Sequence, residues 1–125
     1  MKRVVQTQQG WRKSPGPMKR ILFVCSQNYL RSPTAEQIFS THPRWEVRSA
    51  GTDRNAVTPL TRDLVAWADV IVAMEQTHRS KIRNRFKSQL AGKRLVVLGI
   101  PDEYDYMQPE LVALLQARVR RVVEI

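Results

Sequence analysis

Residues 24–33 read VCSQNYLRSP and hold the chain's one cysteine, Cys25, six positions before Arg31. Just upstream, 20–25 (RILFVC) is a run of apolar and β-branched residues that reads as a buried strand. Just downstream, Ser32-Pro33 suits a helix start, serine at the cap and proline in the first turn, and predicts a helix to about Thr41. A turn between strand and helix aims several backbone N–H groups in one direction, and the helix dipole adds to them. Together they make an anion site.

The same alternation recurs along the chain. A second strand is predicted at 45–49 (WEVRS), a short helix from Thr58-Pro59 to about Trp67, and a third strand at 69–74 (DVIVAM). A basic helix from Glu75 to about Leu90 follows, stopped by Ala91-Gly92-Lys93, and then a fourth strand at 94–98 (RLVVL). Gln108-Pro109-Glu110 opens the last helix, whose Leu111, Leu114, Leu115, Val119 and Val122 share one face at helical spacing. Strands alternating with helices predict an α/β fold: a four-stranded parallel sheet with right-handed crossovers and helices on both faces. Such sheets bind ligands beyond the carboxyl ends of their strands, where Cys25 lies.

With 125 residues, 42% apolar and 26% charged, the chain has the composition of one globular domain. Residues 18–125 are assigned to it, while 1–17, polar and broken by Ser14-Pro15-Gly16-Pro17, read as a disordered N-terminal extension. The longest apolar runs are too short to span a bilayer, and the first residues lack a signal peptide's apolar stretch, so a membrane partner and secretion are not expected. One cysteine allows no internal disulfide, and two histidines with it are too few for the usual structural zinc sites. The expectation is a cytoplasmic protein with no metal and no cofactor.

A formal charge of +10 points to anionic partners. Lys2, Arg3, Arg12 and Lys13 lie before Met18, and many of the other basic residues lie in 78–87 (HRSKIRNRFK) and at Arg118, Arg120 and Arg121. A basic helix face is usually solvated, and no aromatic-interleaved RNA motif or zinc finger accompanies these residues, so nucleic acid is not the expected partner.

The loop after the first strand carries the chemistry. Ser26, Gln27, Asn28, Tyr29, Leu30, Arg31 and Ser32 supply the backbone cradle, and Arg31 adds a planar fork matched to two phosphate oxygens. The same positive surroundings favour a nucleophilic thiolate at Cys25, to which Ser32 can donate its hydroxyl. A lone cysteine at a strand end is most often a packing residue. Arginine at +6 followed by serine, between strand and helix, sets this one apart.

Cys25-x5-Arg31-Ser32-Pro33 with Asn28 inside it, TAEQIF on the first helix, SAGT at 49–52, ADVIVAME at 68–75 with His78 soon after, and IPDEYDY at 100–106 resemble the low-molecular-weight protein tyrosine phosphatases. The resemblance covers most of 18–122. It implies a four-stranded parallel sheet and metal-independent hydrolysis of phosphomonoesters through a cysteinyl-phosphate. It implies further that Cys25 is the nucleophile, that Arg31 clamps the phosphoryl group, and that Ser32 assists thiolate departure. Asn28 would hold the loop in shape, supported by Ser49 and His78. Asp102 falls at the family's general acid, with Asp105 as the alternative. The implied partners are phosphate or another oxyanion in the loop, and a phosphorylated protein or small aryl phosphate as substrate.

Gln27, Leu30 and Glu103 depart from the family pattern, which commonly has glycine, a second cysteine and proline there. Between Gly51 and Ala68 the chain is also short for the family's specificity loop, so Tyr29 and Tyr104 or Tyr106 are considered as replacement walls. His78 is read either as a brace for the loop or as an exposed residue of a basic helix. Arsenate reduction with an external thiol and a non-catalytic phosphate- or phosphoprotein-binding module are the alternative functions.

Overall fold

The computed structural model describes residues 4–7, 10–13 and 18–123. Val4–Thr7 (β1) and Gly10–Lys13 (β2) pair antiparallel in a two-stranded sheet of their own. Val4, Val5 and Thr7 are β-branched, which suits a strand. Both strands lie within residues 1–17, whose other members lie outside the described residues.

Lys19–Cys25 (β3) is the centre of the fold. Ile21, Leu22, Phe23 and Val24 have no exposed surface, so both faces of the strand are covered. After it come Arg31–Phe39 (α1), Trp45–Gly51 (β4), Arg62–Trp67 (α2), Val70–Ala73 (β5), Gln76–Arg85 (α3), a 3₁₀ turn at Lys87–Leu90, Arg94–Val97 (β6) and Pro109–Val123 (α4). The last four strands form one parallel sheet, as expected, in the order β4-β3-β5-β6.

Alternation along β3 divides the core in two. Ile21, Phe23 and Cys25 face Ala35 and Phe39 of α1 and Leu111, Leu115, Val119 and Val123 of α4. Leu22 and Val24 face Val65 of α2 and Ile82 of α3. Each fully buried side chain of this size contributes about 1.5–3 kcal/mol by leaving water. The chain passes from β3 to β4 on one side and to β5 on the other, so the crevice at the carboxyl end of β3 is the switch point of the sheet.

Three boundaries differ from the sequence expectation. Leu30, not Ser32, occupies the cap of α1, because the Ser32 hydroxyl is committed to Cys25 and Asn28. Thr61, not Thr58, caps α2 by accepting the Leu64 N–H at 3.2 Å, while Pro59 lies extended and bridges to Gly51. The basic helix predicted to reach Leu90 ends at Arg85, where Phe86 leaves the helical conformation and buries its ring.

Candidate active site

β3 delivers Cys25 to the rim of the sheet with only 3% of its surface exposed. The Cys25, Ser26 and Gln27 carbonyls accept the N–H groups of Thr52, Asp53 and Val57 at 2.9, 2.9 and 3.0 Å. Because each peptide unit is planar, with N–H opposite C=O, the N–H groups of Ser26, Gln27 and Asn28 turn away from those partners. That is the arrangement an anion cradle needs.

Gly51 makes this approach possible. A Cβ there would lie 2.5 Å from the Ser26 carbonyl oxygen, 2.6 Å from the Ala56 Cβ and 2.9 Å from the Asn28 nitrogen. No other residue fits without moving the loop.

Asn28 turns the loop with φ of 53°, a conformation asparagine tolerates better than most residues. Its Nδ2 donates to Ser32 Oγ and to Ser49 Oγ, both at 2.9 Å. Both hydroxyls therefore act as acceptors here, and each keeps one hydrogen to give elsewhere. Ser49 gives its hydrogen to Glu36 Oε1 on α1. Ser32 has Cys25 Sγ at 3.0 Å and the Ala50 carbonyl at 3.4 Å, so the sulfur is the nearer acceptor. Glu36, Ser49, Asn28 and Ser32 thus form a connected network that reaches the cysteine sulfur, with the sulfur and the Ala50 carbonyl as the two acceptors open to the Ser32 hydrogen.

Arg31 is buried, 3% exposed, and its Nη1 donates to Glu75 Oε1 at 2.7 Å and to the Ile100 carbonyl at 2.8 Å. Both hydrogens of Nη1 are then used. The Nε–Nη2 edge, with its two parallel donors, makes no hydrogen bond to the described residues, and Asp102 Oδ1 stands 3.7 Å from Nε. That edge can take two oxygens of an oxyanion side by side.

Glu75 and His78 form a capping box at the start of α3. The Glu75 N–H donates to His78 Nδ1 at 3.0 Å, so the ring hydrogen of the neutral imidazole is on Nε2 and is donated to Ser26 Oγ at 2.8 Å. Burial, and secondly the nearby Arg31 charge, lower the His78 pKa from 6.5 to about 4. The ring is neutral near pH 7, as this hydrogen bonding requires. His78 is 1% exposed, which fits the bracing role and not that of an exposed basic-helix residue.

Of the other predicted residues, Gln27 and Tyr29 line an open depression beside the loop, Tyr29 being 65% exposed. Leu30 accepts from Thr34 through its carbonyl. Tyr104 packs against the core, whereas Tyr106 is exposed. Asp105 holds the turn before α4, its N–H donating to Gln108 Oε1 at 2.8 Å. Sequence reasoning gave no role to Glu36, Gly51 or Glu75, although all three lie inside motifs it quoted.

The sequence of residues 20–66 matches the family model described as low molecular weight phosphotyrosine protein phosphatase. That stretch contains Cys25, Asn28, Arg31, Ser32, Glu36, Ser49 and Gly51. Over those residues, fewer than half of the chain, the sequence is similar to the low-molecular-weight protein tyrosine phosphatases. No curated protein matches it by sequence. Among solved structures, the tyrosine phosphatase Wzb from Escherichia coli K30 in complex with phosphate is similar at a TM-score of 0.69 and 22% identity, over 86% of this chain and 97% of that one. SP-PTP from Streptococcus pyogenes, a low molecular weight protein tyrosine phosphatase, has a TM-score of 0.69 and 15% identity over 85% and 94% of the two chains. A YwlE arginine phosphatase, a cysteine-to-serine mutant with its active-site serine phosphorylated, gives 0.62 and 26% over 83% and 97%. The phosphatase family match ends before Glu75, His78 and Asp102, so their contribution rests on the geometry above.

Proposed function

We propose that the protein is a cysteine-dependent phosphomonoesterase, with aryl phosphates of the phosphotyrosine kind as its substrates and the cytoplasm as its compartment. The observation that carries this reading is the loop itself: Ser32 Oγ lies 3.0 Å from Cys25 Sγ, and the arginine of the same loop is held by one edge with its other edge available to an oxyanion.

In the first step the Cys25 thiolate attacks phosphorus, the phosphorus–oxygen bond to the leaving group breaks, and the Asp102 carboxyl gives its proton to the departing oxygen. In the second step the Asp102 carboxylate takes a proton from water, the water oxygen attacks phosphorus, and the sulfur–phosphorus bond breaks. Ser32 stabilises the returning thiolate. Loop N–H groups and the Arg31 Nε–Nη2 edge hold the equatorial oxygens throughout. Asp102 is preferred to Asp105 because its carboxylate approaches Arg31, Oδ1 to Nε 3.7 Å.

Among the described residues no helix is long and apolar enough to cross a membrane. The test is hydrolysis of a small aryl phosphate by the wild type and by Cys25→Ser. Turnover by the wild type and none by the mutant supports the reading; equal turnover rejects it. Arsenate-dependent oxidation of an added thiol, without phosphate release, would instead select arsenate reduction. Binding of phosphate without turnover would select the non-catalytic module.

A further inference from the structure

The depression beside the loop has a volume of about 550 Å³ and is lined by Gln27, Tyr29, Asp53, Arg54, Asn55 and Val57. Two of these belong to the phosphate loop, so a group seated there neighbours a phosphoryl group bound to Cys25. Its charges are unequal. Asp53 faces Lys81 of α3, Oδ1 to Nζ 4.0 Å, an exposed pair that offsets part of its charge. Arg54 is exposed and has no ion pair or hydrogen bond among the described residues. Gln27 and Asn55 add amides, and Tyr29 and Val57, 65% and 69% exposed, add apolar walls. An exposed guanidinium sharing a depression with two amides and two apolar walls suits a carboxylate on a short aliphatic stem.

We infer that this depression is a specificity subsite for an acidic side chain next to the phosphorylated residue, so that the preferred substrates are acidic phosphopeptides. The inference rests on the phosphatase reading and names the substrate class of the same site. Arg54 is its determinant. Lys81 beside Asp53 reduces its repulsion of the incoming carboxylate, and the chain's net charge of +10 draws such a peptide in.

The experiment compares two phosphotyrosine peptides, identical except that the residues flanking the phosphotyrosine are glutamate or lysine, with a small aryl phosphate as control. Turnover and calorimetric binding are measured for the wild type, Arg54→Ala and Arg54→Glu. For the wild type, kcat/KM should favour the glutamate peptide by about three- to tenfold, the size of a partly exposed charge-assisted contact, and the ratio should shrink as salt is added. Arg54→Ala should abolish the preference and Arg54→Glu reverse it, while the aryl phosphate control stays unchanged in all three. Equal rates on both wild-type peptides, preference for lysine, or a preference that survives Arg54→Ala would overturn the inference. If the control is not hydrolysed by the wild type, the phosphatase reading fails, and the calorimetric ratio of the two peptides still decides the charge preference.

Discussion

Glu75 Oε1 lies 2.7 Å from Arg31 Nη1, and this contact ties the phosphate loop to the first turn of α3. It commits Nη1 and leaves the Nε–Nη2 edge of the guanidinium without a hydrogen bond to the described residues. Burying the arginine without the carboxylate would leave a charge with too few partners, so the pair also keeps Arg31 in place.

Replacing Glu75 should therefore cost activity beyond stability. Glu75→Gln keeps an acceptor and should lower kcat/KM for an aryl phosphate by about tenfold, while Glu75→Ala frees the guanidinium and should lower it by about a hundredfold. Loss of the cap alone is worth about 1 kcal/mol in urea unfolding. A kinetic loss no larger than the stability change would mean that Glu75 serves only the helix.

Gly51→Ala tests the close approach of strand β4 to the loop. The new methyl meets backbone, not a flexible side-chain end. The expected result is destabilisation of about 1–3 kcal/mol together with weaker phosphate binding, read by thermal shift and by product inhibition. Unchanged phosphate affinity would show that the loop does not depend on this contact.

Much of this was legible in the sequence because it is local. The strands announced themselves as short apolar runs, and the cysteine, asparagine and arginine of the loop stand within seven consecutive residues. Glu75 was not legible as a partner of Arg31, since the two are forty-four positions apart and only the β3–β5 pairing brings them together. The Glu36 contact with Ser49 likewise needs α1 packed over β4. Ser32 misled for a different reason: serine before proline is an ordinary helix cap, but here its hydroxyl serves the sulfur.

His78 should make stability depend on pH. Its pKa is about 4 in the folded protein and about 6.5 when unfolded, so between these values the unfolded chain binds the extra proton. Stability from this group is complete above pH 6.5 and is lost as pH falls toward 4, by at most about 3 kcal/mol. Urea midpoints from pH 4 to 7 should fall with acid in the wild type and vary less in His78→Gln. Equal slopes would remove His78 as the source.

Asp102→Ala should slow hydrolysis of poor leaving groups by about 10²–10⁴-fold, with a smaller loss for acidic phenols that need no proton. Asp105→Ala should leave the rate nearly unchanged. A reversed pattern would transfer the general acid to Asp105.

The most direct measurement is rapid quenching of the wild type during turnover of an aryl phosphate, followed by mass analysis of the peptide that contains residues 24–33. The account predicts a phosphoryl group on Cys25 that disappears as substrate is exhausted, and no sustained turnover by Cys25→Ser. Steady hydrolysis with the label on another residue, or undiminished turnover in Cys25→Ser, would contradict it.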